Sequence, residues 1–146
     1  MLKLKVIGFI VANVAATVEF YERAFGLALH YMHPSRGYAE LDSGAAVLAF
    51  IGEDFVATTS LLGDVTIYPS RPDSPTIGAH VALWSDDIES DWRRAVEAGA
   101  LVVSPLSAKP WGQVSGYLRD ADGIVVELCT PSPRNLPGPS DHDDGR

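Results

Sequence analysis

The chain has 146 residues, of which 47% are apolar, and this length suits one domain or two small fused modules. Its formal net charge of -8 argues against nucleic-acid binding, which needs a basic surface. No apolar run approaches the ~18 residues that span a bilayer, and residues 1–5 do not resemble a signal peptide. One cysteine, Cys129, excludes an intrachain disulfide. We therefore expect a cytoplasmic protein with no membrane or nucleic-acid partner.

The first part of the chain predicts a βαβββ module over residues 1–62. A mostly apolar strand over residues 2–12 has the composition of a strand buried on both faces. Asn13 is the expected cap of the following helix, and Gly26 is its expected stop. Three further strands are predicted over residues 27–32, 38–41 and 45–51. The helix buries a stripe with helical spacing, formed by Val14, Val18, Tyr21 and Phe25.

The middle of the chain carries weaker signals. Residues 53–62 fit either a short helix or a loop. Residues 63–77 contain three prolines and are interpreted as a connector between modules.

The second part repeats the plan over residues 78–131. A strand over 78–85 precedes a helix over 88–98, with Asp86 or Asp87 as its cap. Strands follow over 101–107, 113–119 and 124–130, and an Asp-Gly pair favours a tight turn before the last of them. The predicted buried stripe of this helix consists of Ile88, Trp92, Ala95 and Val96. Residues 132–146 are rich in Pro, Gly, Ser and Asp and are predicted to be a flexible tail.

Three segments carry a family resemblance. They are residues 20–27 (FYERAFGL), residues 80–87 (HVALWSDD) and residues 111–128, which include YLRDADGIVVEL. On these motifs the chain resembles the vicinal oxygen chelate superfamily, the glyoxalase / bleomycin-resistance / dioxygenase group. The resemblance implies an α+β fold in which two βαβββ modules form curled mixed sheets around a cavity. It also implies a homodimer, often with exchanged modules.

The resemblance further implies four inward-facing metal positions, on the first and last strand of each module. The second module offers His80 and Glu127, which can both ligate a metal. The first module offers Val6, or Ile7 with a shift of one residue. Its last strand offers Ala49, or Leu48 with the same shift. None of these four apolar residues can coordinate a cation, so the set is incomplete.

Several roles for His80 and Glu127 remain open. They could bind a divalent metal such as Zn, Ni, Mn or Fe with help from another chain. They could act as a general base, orient a polar ligand group or simply satisfy each other. The sequence contains neither a Gly-x-Ser-x-Gly elbow nor a glycine-rich phosphate loop.

Strand alternation predicts the lining of the cavity. Trp111 sits in a loop that could reach its rim. Tyr38 and Tyr117 could supply hydroxyl groups, but a register change of one residue would reverse their facing. The other predicted lining residues are Ile10, Ala49, Ile51, His80, Trp84, Glu127 and Cys129.

These features favour a binding protein that uses no metal or other cofactor. Its ligand would be a hydrophobic or cationic, antibiotic-like small molecule, sequestered as in bleomycin-resistance proteins, with stacking on Trp84 and Trp111. The alternative is a metal-dependent lyase, isomerase or dioxygenase that uses His80 and Glu127. An accessory protein without small-molecule chemistry is a third class, for which no positive signal is present.

Overall fold

A computed structural model describes residues 1–132 of the chain. Apart from Ser132, the predicted tail over residues 132–146 lies outside the described residues. In chain order the elements are β1 (Val6–Val11), α1 (Val14–Phe25), β2 (Ala28–Met32), β3 (Tyr38–Asp42), β4 (Val47–Gly52), α2 (Glu53–Thr59), β5 (His80–Trp84), α3 (Ile88–Glu97), β6 (Leu101–Ala108), β7 (Val114–Arg119) and β8 (Val125–Cys129).

The strands form two four-stranded sheets with the same topology. The orders are β1-β4-β3-β2 and β5-β8-β7-β6. In each sheet the first and last strands of the module pair in parallel, and the remaining pairs are antiparallel. The predicted α+β fold of two βαβββ modules with curled mixed sheets is confirmed.

Capping residues define the starts of the two long helices. The Asn13 side chain accepts a hydrogen bond from the Ala16 amide at 3.0 Å, and Gly26 ends α1 with a φ of 66°. Asp87 caps α3 by accepting from the Ser90 amide at 3.3 Å, which decides between the two predicted aspartates. The predicted stripe of α1 is buried throughout.

Some expected details differ from the structure. Strand β1 begins at Val6 and lies at the edge of its sheet, and its first three residues are exposed. The expectation of a strand buried on both faces was therefore wrong for this part of β1. The ambiguous segment after β4 forms a short helix, α2. On α3, Ala95 is fully buried, whereas Val96 is 39% exposed, so including Val96 in the stripe was wrong.

The two modules share one hydrophobic core, in which α1 packs on α3. Each helix also places an arginine near the end of the other. Arg23 Nη2 donates to the Ala98 carbonyl at 3.3 Å, and a Cβ at Gly26 would lie 3.0 Å from Arg94 Nη1. Within residues 1–132, none of the helices has the length and apolar character required to cross a bilayer. The faces of the sheets that turn away from these helices are called the open faces below.

Candidate functional site

Strand alternation determines which residues of β8 lie on the open face. Val126 and Leu128 are buried in the core between the sheets and helices. Because successive side chains of a strand point to opposite faces, Glu127 and Cys129 lie on the open face. Tyr117 lies there too, since it pairs directly with Glu127 across the antiparallel β7–β8 ladder.

Four side chains of the second module form a connected polar group on this face. His80 Nε2 lies 3.2 Å from Glu127 Oε2, and Ser115 Oγ donates to Glu127 Oε1 at 2.7 Å. The Tyr117 ring packs edge-on against the imidazole of His80, with 5.8 Å between ring centroids. We call His80, Ser115, Tyr117 and Glu127 the His80–Glu127 cluster. Sequence reasoning missed Ser115, because alternation puts it on the face of Tyr117 but only the register of β7 against β8 brings it to Glu127.

The cluster combines a buried carboxylate with an accessible imidazole. Glu127 is 9% exposed, whereas the side chain of His80 is 47% exposed. Burial, reinforced by the charge of Glu127, raises the pKa of both Tyr117 and Cys129. Tyr117 therefore stays a neutral hydroxyl donor and Cys129 a neutral thiol at physiological pH. The arrangement can accept hydrogen bonds from a ligand or hold a cationic group beside an aromatic ring.

The strand register shows which residues occupy the four positions expected to hold a metal. Val6 pairs with Val47 in the first sheet as His80 pairs with Val125 in the second. Likewise, Ala49 of the first sheet occupies the position of Glu127. Within the described residues, no group of three or more His, Cys, Asp or Glu side chains could hold a metal ion. The donor set of one chain therefore does not fit a four-ligand metal site.

The open face of the first module is mostly apolar, with one polar pair. Tyr38 Oη donates to Glu40 Oε1 at 2.8 Å, and burial together with this contact raises the pKa of Tyr38 to about 12. Glu40 lies directly opposite Ala49 across the β3–β4 ladder. Ile51 packs close to Gly8, its Cδ1 3.2 Å from where a Cβ would lie. Sequence reasoning missed Glu40, which its alternation with Tyr38 could have identified.

Three of the ten predicted lining residues border cavities, and each of the three borders a different one. His80 borders one of about 230 Å³ between β5 and the first sheet, whose wall includes Phe9. Trp84 borders another of about 410 Å³, together with Arg94 of α3. Ile10 borders a third of about 300 Å³ under α2 and the connector. The first two cavities adjoin each other, because both are bordered by Ser43, Ala45, Ala82 and Leu83.

The two candidate stacking residues are half exposed. Trp84 is 49% exposed and Trp111 is 50% exposed. Trp111 Nε1 donates to Gln113 Oε1 at 2.9 Å, and Gln113 Nε2 donates to the Thr130 carbonyl at 2.6 Å. These bonds fasten the β6–β7 loop to the end of β8 and fix the indole at the surface.

Comparison with known proteins identifies similar sequences and folds. The sequence profile described as the Glyoxalase/Bleomycin resistance protein/Dioxygenase superfamily matches residues 3–128. A glyoxalase-related enzyme from Fulvimarina pelagi is 25% identical, with a TM-score of 0.69, covering 90% of this chain and 89% of that chain. TioX from Micromonospora sp. ML1 is 23% identical, with a TM-score of 0.65 and coverages of 88% and 98%.

A glyoxalase/bleomycin resistance protein/dioxygenase from Nocardioides is 22% identical, with a TM-score of 0.66 and coverages of 94% and 89%. The two structures below 25% identity support the fold alone. No match was found among the curated proteins.

Proposed function

Because the chain belongs to the Glyoxalase/Bleomycin resistance protein/Dioxygenase superfamily, we propose that it binds a small molecule without a resident metal. The ligand is a flat, largely apolar molecule with a cationic group, and binding sequesters it in the manner of a bleomycin-resistance protein. The observation that carries this proposal is the difference between the two open faces. Valine and alanine stand in the first module where the second module has His80 and Glu127.

The charges on the open faces support a cationic ligand. Glu127 and Glu40 place a carboxylate on each face, beside Tyr117 and Tyr38 respectively. Arg119 of β7 does not neutralise them, because its guanidinium donates to the backbone carbonyls of Gly123, Arg71 and Ser74 at 2.9, 3.1 and 2.7 Å. A cation beside a tyrosine and a carboxylate gains both cation–π and charge-assisted hydrogen-bond energy.

The exposed apolar side chains support completion of the site by a second copy of the chain. Val6 is 43% exposed and Trp84 is 49% exposed on faces that the helices do not cover. Such surface is costly to leave in water and is typical of an interface or a ligand groove. In a homodimer, the apolar first-module face of one protomer closes the polar second-module face of its partner.

The test combines sizing, elemental analysis and titration with proflavine, a planar organic cation. We expect a metal-free dimer in which proflavine quenches tryptophan fluorescence through Trp84 and Trp111. Quenching should fall in Trp84→Phe and Trp111→Phe variants. Stoichiometric metal that is lost in His80→Ala and Glu127→Ala variants would overturn the proposal in favour of a metal-dependent lyase, isomerase or dioxygenase. Unchanged quenching in both tryptophan variants would place the ligand elsewhere.

A further inference from the structure

The last turn of the second module packs against α1, the helix of the first module. The turn between β7 and β8 presents Asp120 and Asp122 to α1. Tyr21 Oη donates to Asp120 Oδ2 at 2.6 Å, and Thr17 Oγ1 donates to Asp122 Oδ2 at 2.6 Å. All four residues are buried. We call Thr17, Tyr21, Asp120 and Asp122 the acidic clasp, because it joins the two modules through two carboxyl groups.

The carboxyl group of Asp120 is saturated by hydrogen bonds. Its Oδ1 accepts from the backbone amides of Asp122 and Ile124, both at 2.9 Å, while Tyr21 occupies its Oδ2. Asp120 itself is 1% exposed. These bonds hold the carboxyl group against α1 and the turn, and they offset part of the cost of burying it when it is ionised.

A compensating positive charge does not reach Asp120. Arg71 is engaged with both oxygens of Glu53 at 2.5 and 2.9 Å, and Arg119 donates to backbone carbonyls. Within residues 1–132, no lysine or arginine side chain hydrogen-bonds to Asp120. Asp122, the other carboxyl group of the clasp, adds a second negative charge beside it. An ionised Asp120 is therefore a buried charge without a counter-ion, which is costly.

Titration of Asp120 follows from this environment. Burial raises its pKa to about 6, and Asp122 adds to the rise, while the bonds from Tyr21 and the two amides oppose it. Burial also raises the pKa of Asp122 and of Tyr21, so the hydroxyl of Tyr21 stays a donor. The charge of Arg71 lowers the pKa of Asp122, and the charge of Glu53 raises it.

We propose that the acidic clasp is a proton-sensitive lock between the two modules, tight when Asp120 is protonated and looser when it is ionised. The folded state loses stability relative to the unfolded state as the pH rises from about 4, where an unfolded aspartate ionises, to about 6, and the loss is constant above that. Mild acid therefore tightens the docking of α1 on the second module.

The test is hydrogen exchange of the α1 amides in the full chain, corrected for the intrinsic effect of pH. The opening equilibrium constant should rise ~10-fold between pH 5 and 7.5 in the natural protein. Asp120→Asn, which cannot ionise, should abolish most of that rise. The control is Asp64→Asn, the same substitution at an exposed carboxyl group, which should preserve it. An equal rise in the Asp120→Asn variant would overturn the proposal.

A second measurement covers the case in which Asp120→Asn fails to fold. The side-chain carboxyl ¹³C resonance of Asp120 in the natural protein reports its titration directly. It should titrate near pH 6, and Tyr21→Phe should shift the midpoint upward, because the lost hydrogen bond favours the ionised form. A midpoint near that of an ordinary aspartate would refute the lock.

Discussion

The two open faces are built on the same scaffold but carry different chemistry. Both sheets have the same strand order, and their registers match residue for residue between the first and last strands. The second face presents a histidine and a carboxylate at positions where the first presents valine and alanine. The comparison shows that the backbone of a duplicated module fixes where side chains can meet. The residue types at two positions of each face then decide whether a histidine and a carboxylate meet there.

The largest expected loss of stability concerns the turn between the last two strands of each module. Gly123 has a φ of +84°, and a Cβ there would overlap the carbonyl oxygen of Arg71. We expect Gly123→Ala to lower the free energy of unfolding by about 3 kcal/mol or more. The matched variant is Gly44→Ala in the first module, where φ is +93° and nothing lies within 4 Å of the added Cβ. There only the backbone cost of about 1 kcal/mol remains.

Urea denaturation of both variants measures this difference. Equal destabilisation would show that backbone conformation alone decides the cost, and that the connector does not pack on the second turn as described.

The next effect concerns the carboxylates of the two faces. We expect Glu127→Gln to weaken proflavine binding ~10-fold, because it removes the charge to which a cationic ligand would bind. Glu40→Gln, the matched change on the first face, should weaken binding less, since the tryptophans expected to stack on the ligand, Trp84 and Trp111, belong to the second module. Titration calorimetry measures both affinities, and a larger loss in the Glu40 variant would reverse the assignment of the binding face.

The pKa of Tyr38 gives a separate test of the polar pair on the first open face. Burial and Glu40 hold the pKa of Tyr38 at about 12, so its phenol should ionise well after that of a free tyrosine. Tyr38→Phe should reduce the late transition in an ultraviolet absorbance titration by the amplitude of one tyrosine, because Tyr21 and Tyr117 also have raised pKa values. Glu40→Gln should move the Tyr38 part of it to lower pH, because the negative charge that disfavours the phenolate is gone. A late transition with unchanged amplitude in Tyr38→Phe would belong to other tyrosines.

The smallest expected loss of stability comes from removing a helix cap, and it should be the same in both modules. Asn13→Ala and Asp87→Ala each remove a side-chain cap from the start of a helix, at a cost of about 1 kcal/mol. The shift in denaturation midpoint measures it. A much larger effect in one module would mean that its helix start also holds tertiary contacts.

The repeated βαβββ plan could be predicted from the sequence because its signals are local. Caps, glycine stops and helical stripes depend on residues within about two turns of one another. Alternation along β8 likewise placed Glu127 and Cys129 on one face, as the structure has them. The exposure of Val96 was not predictable in this way, because it depends on how α3 packs against α1 and β8.

Long-range pairing limited what could be predicted of the site. His80 and Glu127 were identified by resemblance, but the contribution of Ser115 required the register of β7 against β8. Tyr38 and Tyr117 could not be assigned to a face, since one residue of slippage reverses every side chain. The strand registers of the structure place both tyrosines on the open faces.

Residue types and their short-range spacing were enough to predict the eight strands and the two long helices, and the difference in chemistry between the two modules. How the modules meet depends on contacts that form only in the folded chain. Tyr21 and Asp120 are 99 residues apart in sequence, yet they share a buried hydrogen bond. No local pattern encodes that contact, because it forms only when α1, α3 and the last turn pack into one core.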